Sequence, residues 1–191
     1  MKKFSFGKTL CISLLVIVGI LLAWGVGAYN SLVSSSENVK TQTSRIETQL
    51  QRRADLIPNL VSTVKSYVKY ETEIFTELAD ARSKLLSADG IADKSGANTQ
   101  LSGAVTKLLA LAENYPELKA DKQYQALTDE LAGTENRVAV ARNDYNTAVQ
   151  SYNNQIKRFP GVIIANMFGF NEKEYFAADA GTNVAPKVNF D

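Results

Sequence analysis

Charged side chains interrupt two otherwise apolar helical stripes, and any chemistry in this chain would have to start from them. One group is Arg52, Arg53 and Asp55, with Glu71 further along; the other is Glu135, Arg137 and Arg142, within and just beyond "TENRV". Opposite charges offered by two helices could form one interhelical polar network that sets register or receives a ligand, since a charge in an apolar seam has to be paired. Taken singly, Arg53 could instead lay its methylene stem on the seam and send its guanidinium to water. Two Tyr-Asn pairs, Tyr145-Asn146 and Tyr152-Asn153, are seven residues apart and so share a helical face. There each tyrosine would fill the seam while its hydroxyl finds a partner, and each asparagine would bond a neighbouring helix.

Other chemistries lack their residues. There is no histidine, and the single cysteine is Cys11. Ordinary zinc, haem and iron–sulfur ligation, Ser-His-Asp and Cys-His nucleophiles, and internal disulfides are thereby excluded. Phosphate loops of the GxxxxGK[ST] or GxGxxG type do not occur. The 20 acids are scattered along helical patterns rather than paired in a recognisable catalytic arrangement. No catalytic residue, cofactor or metal ligand is expected, and the chain reads as a non-enzyme. Lys and Arg total 21 against 20 Asp and Glu; without Lys2, Lys3 and Lys8 the remainder carries 18 against 20, a net −2. That balance does not suit nucleic acid.

Behind those three lysines, residues 10–28 read "LCISLLVIVGILLAWGVGA", without a charge. Nineteen helical residues span about 28 Å, close to a bilayer core of ~30 Å, and Trp24 and Tyr29 suit the far interface. Membrane lipid is the first partner this implies. The lysines place the amino terminus in the cytoplasm and the bulk of the chain outside, with the opposite orientation, or a signal peptide cleaved after Ala28, as alternatives. Cys11 opens the apolar run rather than following it, which does not fit a lipid-attachment cysteine. Gly19, Ala23 and Gly27, four apart, form a small-residue face on which a second helix could pack.

The elements that must position the charges follow from periodicity. A strict alternation of four- and three-residue steps runs Leu32, Ser36, Val39, Thr43, Ile46, Leu50, Arg53, Ile57, Leu60, Val64, Tyr67, Glu71, Ile74, Leu78, Ala81, Leu85. It predicts one buried stripe sustained over about 80 Å of helix if unbroken. Pro58 lies inside it without disturbing the phase. It lacks the N–H that would bond the Ala54 carbonyl, so it is read as a kink, with a clean break capped by Asp55 as the alternative. Residues 87–100, "SADGIADKSGANTQ", read as a loop, followed by a short helix carrying Leu101, Val105, Leu108 and Ala112. Pro116 begins the next element. A last long helix carries Tyr124, Leu127, Leu131, Thr134, Val138, Ala141, Tyr145, Ala148, Tyr152, Gln155 and Phe159, and Gly133 within it suggests close packing. "FPG" ends that helix, Gly169 stops the short apolar "VIIANMF", and Val188 and Phe190 in the tail alternate like a docking peptide. The whole is all-α: an elongated antiparallel helical bundle of four-helix type on one amino-terminal transmembrane helix. It divides into a basic start (1–9), a span (10–28), a bundle (29–170) and a tail (171–191).

The stretches "YNSLV", "LQRRADLIPNLVSTVKSYVKYE", "AENYPELKA", "LTDELAGTENRVAVARNDYNTAVQSYNNQI", "FPGVIIANMFGF" and the closing "APKVNF" resemble the LemA family, collinearly from Tyr29 onward. The resemblance implies a four-helix-type bundle on a single anchor and a poorly defined biochemical role. It also implies an amino terminus outside the cell, against which the lysines argue. The expected protein is a single-pass resident of the bacterial cytoplasmic membrane, a homo-oligomeric scaffold or adaptor that organises other envelope proteins. The alternative is a tethered module that binds a peptide or small ligand, with the tail occluding the site.

Overall fold

A computed structural model describes residues 6–68 and 70–177, and among these there are six helices and no strand. They are α1 (Phe6–Lys65), α2 (Thr72–Ser87), α3 (Gly90–Ala112), α4 (Pro116–Ala120), α5 (Lys122–Lys157) and α6 (Gly161–Phe168). Val188 and Phe190 lie outside the described residues. The described residues gather into two compact units, one within Met1–Lys40 and Ala148–Lys173, the other within Thr41–Thr147 and Glu174–Asp191.

In the first unit, α1 is the single helix among the described residues long and apolar enough to cross a membrane. Its large apolar side chains from Leu10 to Val26 are exposed. From Leu32 onward α1 buries one stripe instead, with Leu32 and Val39 inside, against Val149, Tyr152 and Ile156 of α5 and Ile164 and Ala165 of α6 as the unit's core. Ser35 and Gln155 share a hydrogen bond of 2.9 Å at that seam. Between α5 and α6 the chain reverses through a cis Phe159–Pro160 peptide, and glycine is obligatory just after it. A Cβ on Gly161 would stand 2.1 Å from the Gln155 carbonyl oxygen. Gly169 ends α6 at φ 73, the left-handed conformation that a helix stop of this kind requires.

The second unit is built from the remainder of α1 and α5 with α2, α3 and α4. Ile46, Leu50, Ile57, Leu60 and Val64 of α1 are buried as the four-three alternation requires, together with Leu78, Leu101, Leu108, Leu118 and Val138. Side-chain pairs give the directions of the helices. Lys84 meets Gln100 and Glu77 meets Lys107, so α2 and α3 run antiparallel. Lys94 meets Glu47 and Arg53 meets Asn98, so α1 and α3 run parallel.

Two expectations are corrected here. The stripe does not continue as one helix to Leu85: α1 ends at Lys65, and the chain turns before α2 begins at Thr72. Tyr67 and Glu71, counted in the stripe, are exposed. The sequence there, "SYVKYE", is rich in aromatic and β-branched residues of weak helix propensity, and the Tyr67 hydroxyl hydrogen-bonds the Asp121 carboxylate at 2.9 Å. Nor are residues 87–100 a loop. Ala88 and Asp89 alone separate α2 from α3, which begins at Gly90. Its small residues Ser95, Ala97 and Asn98 are buried, so tertiary contact outweighs the poor intrinsic helix preference of Ser95 and Asn98.

Candidate functional site

Three consecutive residues of α1 in the second unit reach the three other long elements of that unit. Arg52 contacts Glu130 of α5 at 2.8 Å. Arg53, only 4% exposed, donates through Nη1 to Asn98 Oδ1 of α3 at 2.6 Å and stands 2.5 Å from Glu135 Oε2 of α5. The latter is a charge contact rather than an aligned hydrogen bond. The Ala54 carbonyl accepts a 2.8 Å hydrogen bond from Arg82 Nε of α2.

This last bond accounts for Pro58. Proline at 58 leaves the carbonyl of residue 54 without its usual partner four residues on, and an unpaired carbonyl at a position as buried as Ala54 is costly. Arg82 supplies the missing donor. Pro58 lies inside an unbroken α1, on its exposed side. The reading as a break at "DLIPN" is thereby set aside.

The expected cluster is assembled only in part. Arg53 and Glu135 are brought together. Arg52 and Arg137 converge on Glu130, Arg137 at 2.6 Å, although Glu130 was not among the expected members. Asp55 is exposed and accepts from Gln51 of its own helix. Arg142 is half-buried seven residues beyond Glu135, and Glu71 is exposed just before α2. Asn98 and Arg82 were missed; Asn98 stood in the presumed loop, and Arg82 carries no signal beyond its helical position. Gly133 does not mark a close helix contact, since a Cβ there would meet only the Arg137 guanidinium.

Beside the cluster is a cavity of about 350 Å³ whose lining includes Arg53, Ser102, Leu109, Thr128 and Glu135. The Ser102 hydroxyl oxygen is buried without a hydrogen-bond partner. One cation, one anion and a few hydroxyls in an apolar dent can orient a small polar group. They provide no nucleophile with a neighbouring base, and no set of three potential metal ligands occurs among the described residues.

The Tyr-Asn pairs do bond neighbours, but the partner is the extended chain after α6 rather than a helix. In the first unit, the Tyr152 hydroxyl donates to the Asn171 carbonyl at 2.9 Å. Asn153 both donates to the Lys173 carbonyl and accepts from the Lys173 N–H, at 2.8 and 2.9 Å. In the second unit, Tyr145 donates to the Glu174 carbonyl at 2.7 Å, and Asn146 holds the Phe176 carbonyl and N–H at 3.1 and 2.9 Å. Ser95 adds a bond to the Ala177 carbonyl, and Phe176 is buried. Each pair thus reads two main-chain positions, two residues apart. Burial raises the Tyr145 and Tyr152 hydroxyls above the usual tyrosine range, because phenolate would lose its water.

A helical protein with one span-length apolar segment is the class these features define. The LemA family model matches residues 42–190, and the chain belongs to the LemA family. Among relatives, Magnetosome protein MamQ 2 of Paramagnetospirillum magneticum is 29% identical over 174 residues, covering 78% of this chain and 64% of the relative. Magnetosome protein MamQ of Magnetospirillum gryphiswaldense is 28% identical over the same length and coverage. Protein LemA of Metamycoplasma hominis is 26% identical over 145 residues, 74% of this chain and 65% of the relative. The chain therefore spans slightly less than two thirds of these relatives' length.

Proposed function

We propose that this protein is a non-enzymatic, membrane-anchored scaffold that associates with copies of itself and organises other envelope proteins. The observation carrying the reading is the change along α1, which exposes apolar side chains from Leu10 to Val26 and then buries a single stripe from Leu32. A helix exposed on all sides with apolar residues requires lipid, whereas a striped one requires protein. Along the span, Gly19 and Gly27 have nothing near their Cβ positions, so a second helix could approach closely there. Two of the relatives take their names from the magnetosome rather than from a reaction. Lys2, Lys3 and Lys8 favour an amino terminus in the cytoplasm.

Sizing in mild detergent, after extraction at alkaline pH, tests both parts. Material released without detergent overturns the anchor; a monomer overturns self-association. The expected result is a defined oligomer that falls apart when Gly19, Ala23 and Gly27 are all replaced by leucine.

A second reading, a peptide-binding module, draws on the Tyr-Asn pairs, which already hold main-chain atoms of an extended segment. Releasing the segment with Phe176→Asp and adding a labelled peptide of residues 170–177 is expected to give binding that Asn146→Ala weakens about tenfold. Absence of binding to the released protein sinks this reading.

A further inference from the structure

Outside the span, four large apolar side chains stand exposed within ten residues of one another. Phe159 is 79% exposed, Ile163 49%, Met167 68% and Phe168 56%. Ile163 and Met167 are one turn apart on α6, beside the buried Ile164 and Ala165; Asn166 is exposed with them, and no charge occurs from Gly161 to Gly169. A short helix whose exposed side chains are apolar apart from one asparagine is a poor match for water.

Its surroundings indicate what covers the outer face. The Phe159 ring lies 6.5 Å from that of Trp24, and the Phe168 and Phe170 rings lie 4.8 and 5.9 Å from that of Tyr29. Trp24 and Tyr29 close the apolar run of α1, the depth at which aromatic rings settle between acyl chains and water. The exposed face of α6 is thus continuous with the surface that α1 presents to lipid. At its edge, Arg158 lines a cavity of about 420 Å³ together with Ala28, Ser31 and Asn154, where a guanidinium suits a phosphate group.

We infer that Phe159 and α6 form a second, interfacial membrane contact. Ile163, Met167 and Phe168 enter the upper acyl region, and Arg158 meets the headgroup phosphates. The inference rests on α1 crossing the membrane. It assigns to lipid an apolar surface that could otherwise be taken as a protein-docking face.

The test uses the full chain in vesicles of phosphatidylethanolamine and phosphatidylglycerol, with an environment-sensitive fluorophore on one cysteine at a time. Native Cys11 reports the span. Ile163→Cys and Met167→Cys, each with Cys11→Ser, report α6. Lys40→Cys with Cys11→Ser reports an exposed α1 position about 18 Å beyond Ala28. All three introduced positions are exposed, and equal circular dichroism checks that the fold is kept. The expected result is quenching by spin-labelled lipid at 163 and 167 several-fold stronger than at 40. Quenching at 163 and 167 no stronger than at 40, with Cys11 quenched, overturns the interfacial contact while the anchor stands. An unquenched Cys11 overturns the anchor first, and this surface with it.

Discussion

Arg53 in the second unit and Asn153 in the first are almost equally buried, at 4% and 3% exposed, yet they are satisfied by different chemistry. The arginine brings a full charge into the interior and needs a carboxylate, Glu135, that stays 43% exposed on its side chain. The asparagine brings only dipoles, and both ends of its amide close on one residue of the extended segment, Lys173. Desolvating a charge costs several kcal/mol, and a half-exposed partner returns part of it. Desolvating an amide costs far less and is recovered by two bonds. The charged arrangement is therefore brittle toward loss of one member, and the neutral one degrades gradually.

The largest expected effect breaks the charged side of this comparison. Glu135→Ala takes the Glu135 carboxylate from beside the buried Arg53 guanidinium, and chemical denaturation in mild detergent is expected to show a loss of about 3 kcal/mol. Adding Arg53→Met to that variant is expected to restore part of the loss. If Glu135→Ala is as mild as a surface change, the cluster is not a register lock. Next comes Arg82→Ala, which orphans the Ala54 carbonyl beneath Pro58 and is expected to cost about 2 kcal/mol; Pro58→Ala in the same chain should recover most of it. Asn153→Ala sharpens the neutral side, with an expected loss of about 1.5 kcal/mol and faster hydrogen exchange at the Lys173 amide. The smallest effect concerns alkaline pH. Tyr145 and Tyr152 have folded pKa values raised by burial, so the folded state keeps protons that the unfolded chain releases from about pH 10 upward. Stability from these groups is complete below that pH and falls as pH climbs through the raised values. Tyr152→Phe should flatten the fall, measured as denaturation midpoint against pH.

Much of this was legible in the sequence. Every stripe position from Ile46 to Val64 is buried, because a four-three alternation leaves a helix one side to hide. Arg53 and Glu135 stood among seven candidate charges, but that these two would meet was not legible, because Glu135 lies off the apolar stripe of its helix and keeps its side chain 43% exposed. Nor was the break after Lys65. No proline or glycine marks it, and the Tyr67–Asp121 bond that accompanies it joins residues 54 apart in sequence. Likewise, the glycines and serines before Leu101 looked like loop because their smallness is a local signal, whereas the packing of Ser95, Ala97 and Asn98 depends on neighbours supplied by other helices. The same limit hid the extended segment: the Tyr-Asn spacing showed that something was held, but not that it was main chain.

One consequence of those asparagines reaches beyond stability. They and their tyrosines grip only carbonyls and N–H groups, which every residue except proline possesses in full. Glu172, Lys173, Glu174 and Tyr175, all solvent-facing, can therefore be rewritten by mutation with little harm to the clasp, while Phe176 stays fixed in its pocket. The outward lettering of this ribbon is free to drift, so descendants of one ancestor can acquire new surface charge there without rebuilding the helices underneath.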